Sequence, residues 1–178
     1  MRKDIQQIVL ASRPVGSPTH DNFRLEAAEM PTPGAGEVLV EVSHMSLDPY
    51  MRGRMDEGMS YATPVAGGSK MFGGGVGRAL ASNVPQFAEG DTVTGPFGWA
   101  THGTADAALC RPVAPTQAPI TTALGVLGMP GFTGWWGFNE YGRPKAGETL
   151  VVAAATGPVG SMVGQLAKAK GLRAVGLA

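Results

Sequence analysis

The segment Ala155-Thr156-Gly157-Pro158-Val159-Gly160-Ser161 follows an apolar run, Thr149–Ala154, and opens a stretch in which Val159, Met162, Val163, Leu166 and Lys170 recur with helical spacing. A glycine-rich turn between a strand and a helix is a phosphate-binding device. The backbone N–H groups at the helix start have no partner inside the helix and point at an anion, and the helix dipole favours negative charge there. The turn is a variant of G-x-G-x-x-G with alanine in the first place. In that reading Ala155 makes the tight turn, Gly157 lets the backbone approach a pyrophosphate, and Gly160 lets helix and strand pack closely. Pro158 suits the first helical position and carries no N–H, so Val159, Gly160 and Ser161 are the expected donors. The competing reading is a structural βα turn that binds nothing. No Gly-Lys-Ser/Thr follows, which excludes a P-loop. The residue that separates NAD from NADP stands about 20 positions after the glycines. That position is the end of the given sequence, so these residues do not choose between the two.

Such a turn needs a parallel sheet around it, and the flanking residues supply one unit of it. Thr149–Ala154 is a strand-length apolar run, Gly171 is a plausible helix stop, and Arg173 to Leu177 is a second strand. Upstream, residues 120–141 predict two short helices around a break at Met129-Pro130-Gly131. The first 110 residues or so read differently, as strands and turns. Ile5–Leu10 is an opening strand; Glu37–Val42 alternates Val38, Val40 and Val42; Gly73–Leu80 is a glycine-rich, bent strand; and Phe87–Thr94 is a turn and then a strand. Short strands at this spacing predict a small barrel or sandwich.

Composition bounds the function. Of 178 residues, 14 are Lys or Arg and 14 are Asp or Glu, so no net field draws the chain onto nucleic acid or anionic lipid. Hydrophobic residues at 43% argue for a folded chain despite 27 Gly and 14 Pro, and the charged fraction of 16% suggests surface covered by another domain or subunit. Pro112 to Asn139 is free of charge but broken by prolines and glycines, which rules out a membrane-spanning helix. The lone Cys110 allows neither an internal disulfide nor a multi-cysteine zinc site, and His20, His44 and His102 have no metal-ligand spacing. No secretory leader is visible, so a cytoplasmic location is expected.

Longer motifs carry a resemblance. Arg13-Pro14-Val15-Gly16-Ser17-Pro18, Ser46-Leu47-Asp48-Pro49-Tyr50-Met51-Arg52-Gly53-Arg54-Met55, Phe87-Ala88-Glu89-Gly90-Asp91-Thr92-Val93, Leu124–Thr133 and Pro144–Thr149 together with the βαβ unit span almost the whole chain. They resemble the zinc-independent medium-chain dehydrogenases/reductases, in the branch of NADPH-dependent alkenal/prostaglandin reductases and curcumin reductases. The Asp-Pro-Tyr-Met-Arg and Leu-Gly-Met-Pro-Gly segments are the branch-specific ones. The resemblance implies an α/β plus β fold. Residues 1–125 would form an incomplete GroES-like barrel domain, and residues 126–178 the first part of a truncated, NADP-binding Rossmann domain.

It also implies an activity: reduction of the C=C bond of α,β-unsaturated ketones and aldehydes, with hydride from NADPH to the β-carbon and a donor at the enolate oxygen. No metal is needed for that, and the loop Ser43-His44-Met45-Ser46 lacks the cysteine of zinc-dependent relatives. Carried over residue by residue, Tyr50 lies near the nicotinamide and Tyr61 on the substrate side, and Thr133 is a carboxamide contact or a helix cap. Ala155, Gly157, Val159, Gly160 and Ser161 bind the cofactor. Thr133-Gly134-Trp135 stands where relatives tend to have Thr-Ala-Tyr. Arg52 and Arg54 bind a phosphate or pair with Asp48 and Asp56. Partners are a small enone or quinone and a second copy, as a homodimer or other oligomer. The alternatives are a quinone oxidoreductase of the same superfamily and a catalytically inactive truncated fragment with a structural or interaction role.

Overall fold

The computed structural model describes residues 4–58 and 62–178, and Tyr61 therefore lies outside the described residues. The chain divides into two compact units, Met1–Ile120 and Thr121–Ala178.

In the first unit, β1 (Asp4–Leu10) and β2 (Phe23–Glu29) form an antiparallel pair running from Asp4 opposite Glu29 to Leu10 opposite Phe23. β3 (Glu37–Met45), β4 (Gly75–Ser82), β5 (Thr92–Gly95), β6 (His102–Asp106) and β7 (Arg111–Pro112) form a five-stranded antiparallel sheet in the order β6-β3-β4-β5-β7. The predicted alternation in β3 is real on its inner face, since Val38 and Val40 are buried with Ala79, Phe87, Val93, Phe97 and Ala105. Register shifts between Leu39 and Val40 and between Val42 and His44 add the local twist that a curving sheet needs. β1 is laced to the same body by Ile8 N–H to the Trp99 carbonyl at 2.8 Å and Met71 N–H to the Ile8 carbonyl at 2.9 Å. Beneath it Leu10, Met55, Val65 and Met71 make a second core, with Phe23, Phe72 and Trp99 packed around it. The short helix α1 (Tyr50–Gly53) sits at the edge of this core and buries Met51.

In the second unit, β8 (Thr149–Val152) and β9 (Arg173–Gly176) pair in parallel, and α3 (Pro158–Ala169) connects them. This is the expected βαβ unit. Its core is Phe138, Ala167 and Leu172 with Leu150, Val163 and Leu166, so of the helically spaced residues Val163 and Leu166 face the core while Val159 is exposed. Gly171 ends the helix at φ 76°, as expected. The two expected helical segments are present, but the break falls just before Met129-Pro130-Gly131, at residues 125–128, after a 3₁₀ turn over Ile120–Leu124. Pro130 lies in the first turn of α2 (Met129–Trp136), where its missing N–H costs nothing, and the helix runs on as a π-helix over Gly137–Gly142. Among the described residues no helix is long and apolar enough to cross a membrane.

Candidate functional site

The glycine turn is built as tightly as its spacing suggests, with one residue displaced. The left-handed position is Ala154 at φ 50°, not Ala155. A non-glycine residue held there is strained, and such strain persists only where the surroundings enforce it. Ala155 lies in the turn beyond β8 and donates its N–H to the Leu177 carbonyl at 2.9 Å. Gly157 is extended at φ −72° and ψ 164° and forms the N-cap of α3, without any side-chain cap. Gly160 is buried against the turn. A Cβ there would run into the Ala154 carbonyl oxygen and come 2.8 Å from the Ala155 Cα, so only glycine fits without movement.

The first intrahelical bond is Ser161 N–H to the Gly157 carbonyl at 2.8 Å. The Ser161 hydroxyl donates to the Pro158 carbonyl at 3.2 Å. The three expected donors are thus reduced to two, because Ser161 is spent on its own helix. Val159 and Gly160 lie in the first turn, where backbone N–H groups have no intrahelical acceptor. Two uncapped amides at a helix start, beside a Gly157 N-cap that carries no side chain, fit a pyrophosphate.

Within the same unit α2 reaches this turn. Gly134 faces α3 so closely that a Cβ would lie 3.0 Å from the Val159 carbonyl oxygen. Its neighbour Thr133 is in mid-helix, not at a cap, and its hydroxyl donates to the Met129 carbonyl at 2.8 Å. The hydroxyl oxygen keeps its acceptor capacity.

In the first unit, Tyr50 is the first residue of α1, and its ring meets Phe72 edge-on at 6.4 Å and 68°. Arg52 takes the ion pair expected of it, with Asp56 at 2.8 Å. Arg54 does not: its guanidinium lies 4.0 Å above the Phe72 ring, with Nε donating to the Thr63 carbonyl at 3.1 Å. Arg13 bridges the Met55 and Val65 carbonyls at 2.6 and 3.3 Å and pairs with Glu57 at 2.9 Å, which pins both ends of the segment between them. Phe72 and Ala154 carried no signal in the sequence beyond an aromatic beside a glycine run and one more alanine in an apolar strand.

The remaining candidates make local contacts. The Ser43 hydroxyl donates to the Val76 carbonyl at 2.9 Å, and His44 Nδ1 lies 3.1 Å from the Ser43 oxygen. His102 Nδ1 stands in the same relation to Thr101, also at 3.1 Å. Among the described residues no three His, Cys, Asp or Glu side chains gather as a metal site. Burial, with a smaller effect of Asp106, pushes the Cys110 thiol up to about 11, so it is protonated at neutral pH.

Comparison with known proteins gives this geometry a context. A family described as the N-terminal domain of oxidoreductase matches residues 6–113. The NADPH-dependent curcumin reductase of Escherichia coli is 51% identical over 170 residues, covering 96% of this chain and 49% of that protein. Prostaglandin reductase 1 of Bos taurus is 40% identical over 167 residues, covering 92% of this chain and 49% of that protein. The crystal structure of CurA from Vibrio vulnificus in complex with NADPH superimposes with a TM-score of 0.88 at 49% identity, over 96% of this chain and 51% of that one. The chain thus has the fold of a GroES-like barrel followed by part of a Rossmann domain, and it spans about half the length of the curated relatives it matches.

Proposed function

The chain belongs to the oxidoreductase family that this N-terminal domain defines, and from that premise we propose that it serves NADPH-dependent reduction of the C=C bond of α,β-unsaturated ketones and aldehydes, without a metal. The observation that carries this reading is the turn at Ala154–Ser161, where Gly160 lets α3 pack closely against the turn and α3 starts with uncapped amides. NADPH, when bound, supplies the hydride that the β-carbon accepts.

The chain's own residues bind and orient. The amides of Val159 and Gly160 hold the pyrophosphate, with the dipole of α3 behind them. The Thr133 oxygen accepts from the carboxamide of the nicotinamide. The Tyr50 hydroxyl donates to the substrate's carbonyl oxygen, where negative charge grows as the double bond is reduced, and a fixed donor is worth most at that atom. Such a donor does the work a metal would otherwise do, consistent with the absence of a cysteine in Ser43–Ser46. The domain assignment follows the same lines, with residues 1–125 as the GroES-like domain and residues 126–178 as the first part of the nucleotide-binding domain. A homodimer or other oligomer in the cytoplasm completes the reading. It is supported by the exposed, mutually packed Phe132, Trp135 and Trp136 on α2, since soluble monomers rarely leave such a cluster open.

The test is turnover with NADPH deuterated at its reactive position and a simple enone, with the product analysed by mass spectrometry. A saturated ketone carrying deuterium at the β-carbon is expected. Reduction of quinones but not enones would assign the chain to the quinone-reducing branch. Absence of both turnover and NADPH binding would overturn the reading and leave a structural role.

A further inference from the structure

We propose that Arg54 is a positioning residue for Tyr50 and acts through the Phe72 ring; the inference deepens, and rests on, the reading of Tyr50 as the donor to the substrate. Tyr50 and Arg54 are four residues apart, the spacing that brings side chains together on one face of a helix. Tyr50 opens α1 and Arg54 is its C-cap at φ −78° and ψ −9°, so the helical geometry extends across both. Phe72 is wedged against the pair. It presents one contact to Tyr50, edge-on at 6.4 Å, and its face to the Arg54 guanidinium at 4.0 Å.

The wedge itself is anchored. Phe72 follows Met71, which is 0% exposed, and packs on the core that holds Met55 and Val65. The neighbouring arginines are committed elsewhere: Arg13 to Glu57 and two carbonyls, Arg52 to Asp56 and the carbonyls of Gly16 and Pro14. Arg54 alone of the three has no carboxylate partner among the described residues, and one carbonyl, that of Thr63, holds its Nε in place. A guanidinium left without a counter-charge and laid flat on a ring is a cation–π arrangement, attractive because the ring face is negative. Its consequence is directional. With Arg54 on its face, Phe72 cannot rotate or tilt freely, and the edge-on contact then limits where the Tyr50 ring can point. A hydroxyl that must meet a developing oxyanion depends on that restraint, since a shift of about 1 Å is enough to cost on the order of a hundredfold in rate.

The experiment compares Arg54→Met, Arg54→Lys and Phe72→Leu in the intact chain. Methionine keeps the length and apolar bulk without the charge, and lysine keeps a cation for the ring. Aromatic NMR of the three tyrosines reads the ring positions directly, with the exposed Tyr141 as internal control. The expected result is that Arg54→Met and Phe72→Leu move the Tyr50 ring resonances toward those of Tyr141, while Arg54→Lys retains most of the wild-type shift. Tyr50 resonances unchanged in Arg54→Met would overturn the proposal. Should Arg54→Met fail to fold, wild-type Overhauser contacts from Phe72 to both Tyr50 and Arg54 decide: their absence overturns it. Kinetics form a second arm, with kcat for enone reduction expected to fall about tenfold in Arg54→Met at unchanged KM and to recover in Arg54→Lys. Equal kcat in Arg54→Met and wild type would also overturn it. If the NMR arm succeeds but wild type turns over no enone, the positioning stands and the assignment of Tyr50 as substrate donor fails.

Discussion

Replacing Gly160 by alanine is the sharpest perturbation available at the glycine turn. The added Cβ would stand 2.8 Å from the Ala155 Cα and 3.0 Å from the Ala154 carbonyl carbon, besides striking the Ala154 oxygen. Carbon contacts relax at about 3.5–4.0 Å, so the helix start or the strained turn must move by nearly 1 Å. Overpacking of that kind costs about 1–3 kcal/mol. Alanine regains up to about 1 kcal/mol of helix propensity; because every atom it strikes is backbone, the cost lies at the upper end of that range and the net loss is about 2 kcal/mol. Gly164, on the same helix, is the control, because a Cβ there meets nothing within 4 Å. Gly164→Ala therefore keeps the propensity gain and should stabilise by about 0.4–1 kcal/mol. The assay is urea unfolding in a Trp99→Phe background, where the fluorescence comes from Trp135 and Trp136, both in the second unit. Opposite shifts of the two midpoints are expected, with NADPH affinity lost only in Gly160→Ala. A Gly160→Ala protein as stable as wild type, or a Gly164→Ala protein equally damaged, would refute the steric reasoning.

Other consequences can be checked alongside. Arg13→Ala strips two backbone carbonyls of their donor and should destabilise the first unit by about 1–3 kcal/mol, little of it from the exposed Glu57 pair; Arg13→Lys should not rescue it, since an ammonium lacks the fork that reaches both carbonyls. With its thiol raised to about 11, Cys110 should be alkylated at pH 8 on the order of a hundredfold more slowly than free cysteine. The folded state holds that proton more tightly than the unfolded state does. Its stabilising contribution is therefore complete below the unfolded thiol's range and lost as pH rises toward 11, and denaturation of Cys110→Ala should lack that alkaline slope. Thr133→Val removes a hydroxyl bonded only to its own helix, so stability should change by no more than about 0.5 kcal/mol while NADPH affinity falls several-fold; unchanged affinity would leave Thr133 without a cofactor role.

Much of the scaffold could be read from residue patterns because local and global preferences agree there. Val38 and Val40 alternate and are buried, and α3 places Val163, Leu166 and Ala167 on its core side. β2 was hidden for the opposite reason. Phe-Arg-Leu-Glu-Ala-Ala-Glu is composed of helix formers, yet all seven residues pair with β1, so tertiary pairing overrides propensity. β6, His-Gly-Thr-Ala-Asp, has no apolar alternation and is held as a strand by its partner β3. At the turn, the need for glycine at Gly160 was legible, because a close helix–strand crossing follows from the spacing alone. The left-handed Ala154 was not, since no residue-type signal marks an alanine for that conformation. Nor could pairing rules distinguish Arg54 from Arg52: only the fold sets one against Asp56 and the other on Phe72.

The central claim is that this turn receives the pyrophosphate of NADPH, and amide-resolved NMR of the chain titrated with NADPH tests it most directly. The account predicts saturable shifts centred on the Val159 and Gly160 amides, reproduced by NADH, which shares the pyrophosphate, and absent with adenosine. Saturable binding that leaves those two amides unmoved, or no binding at all, would contradict it.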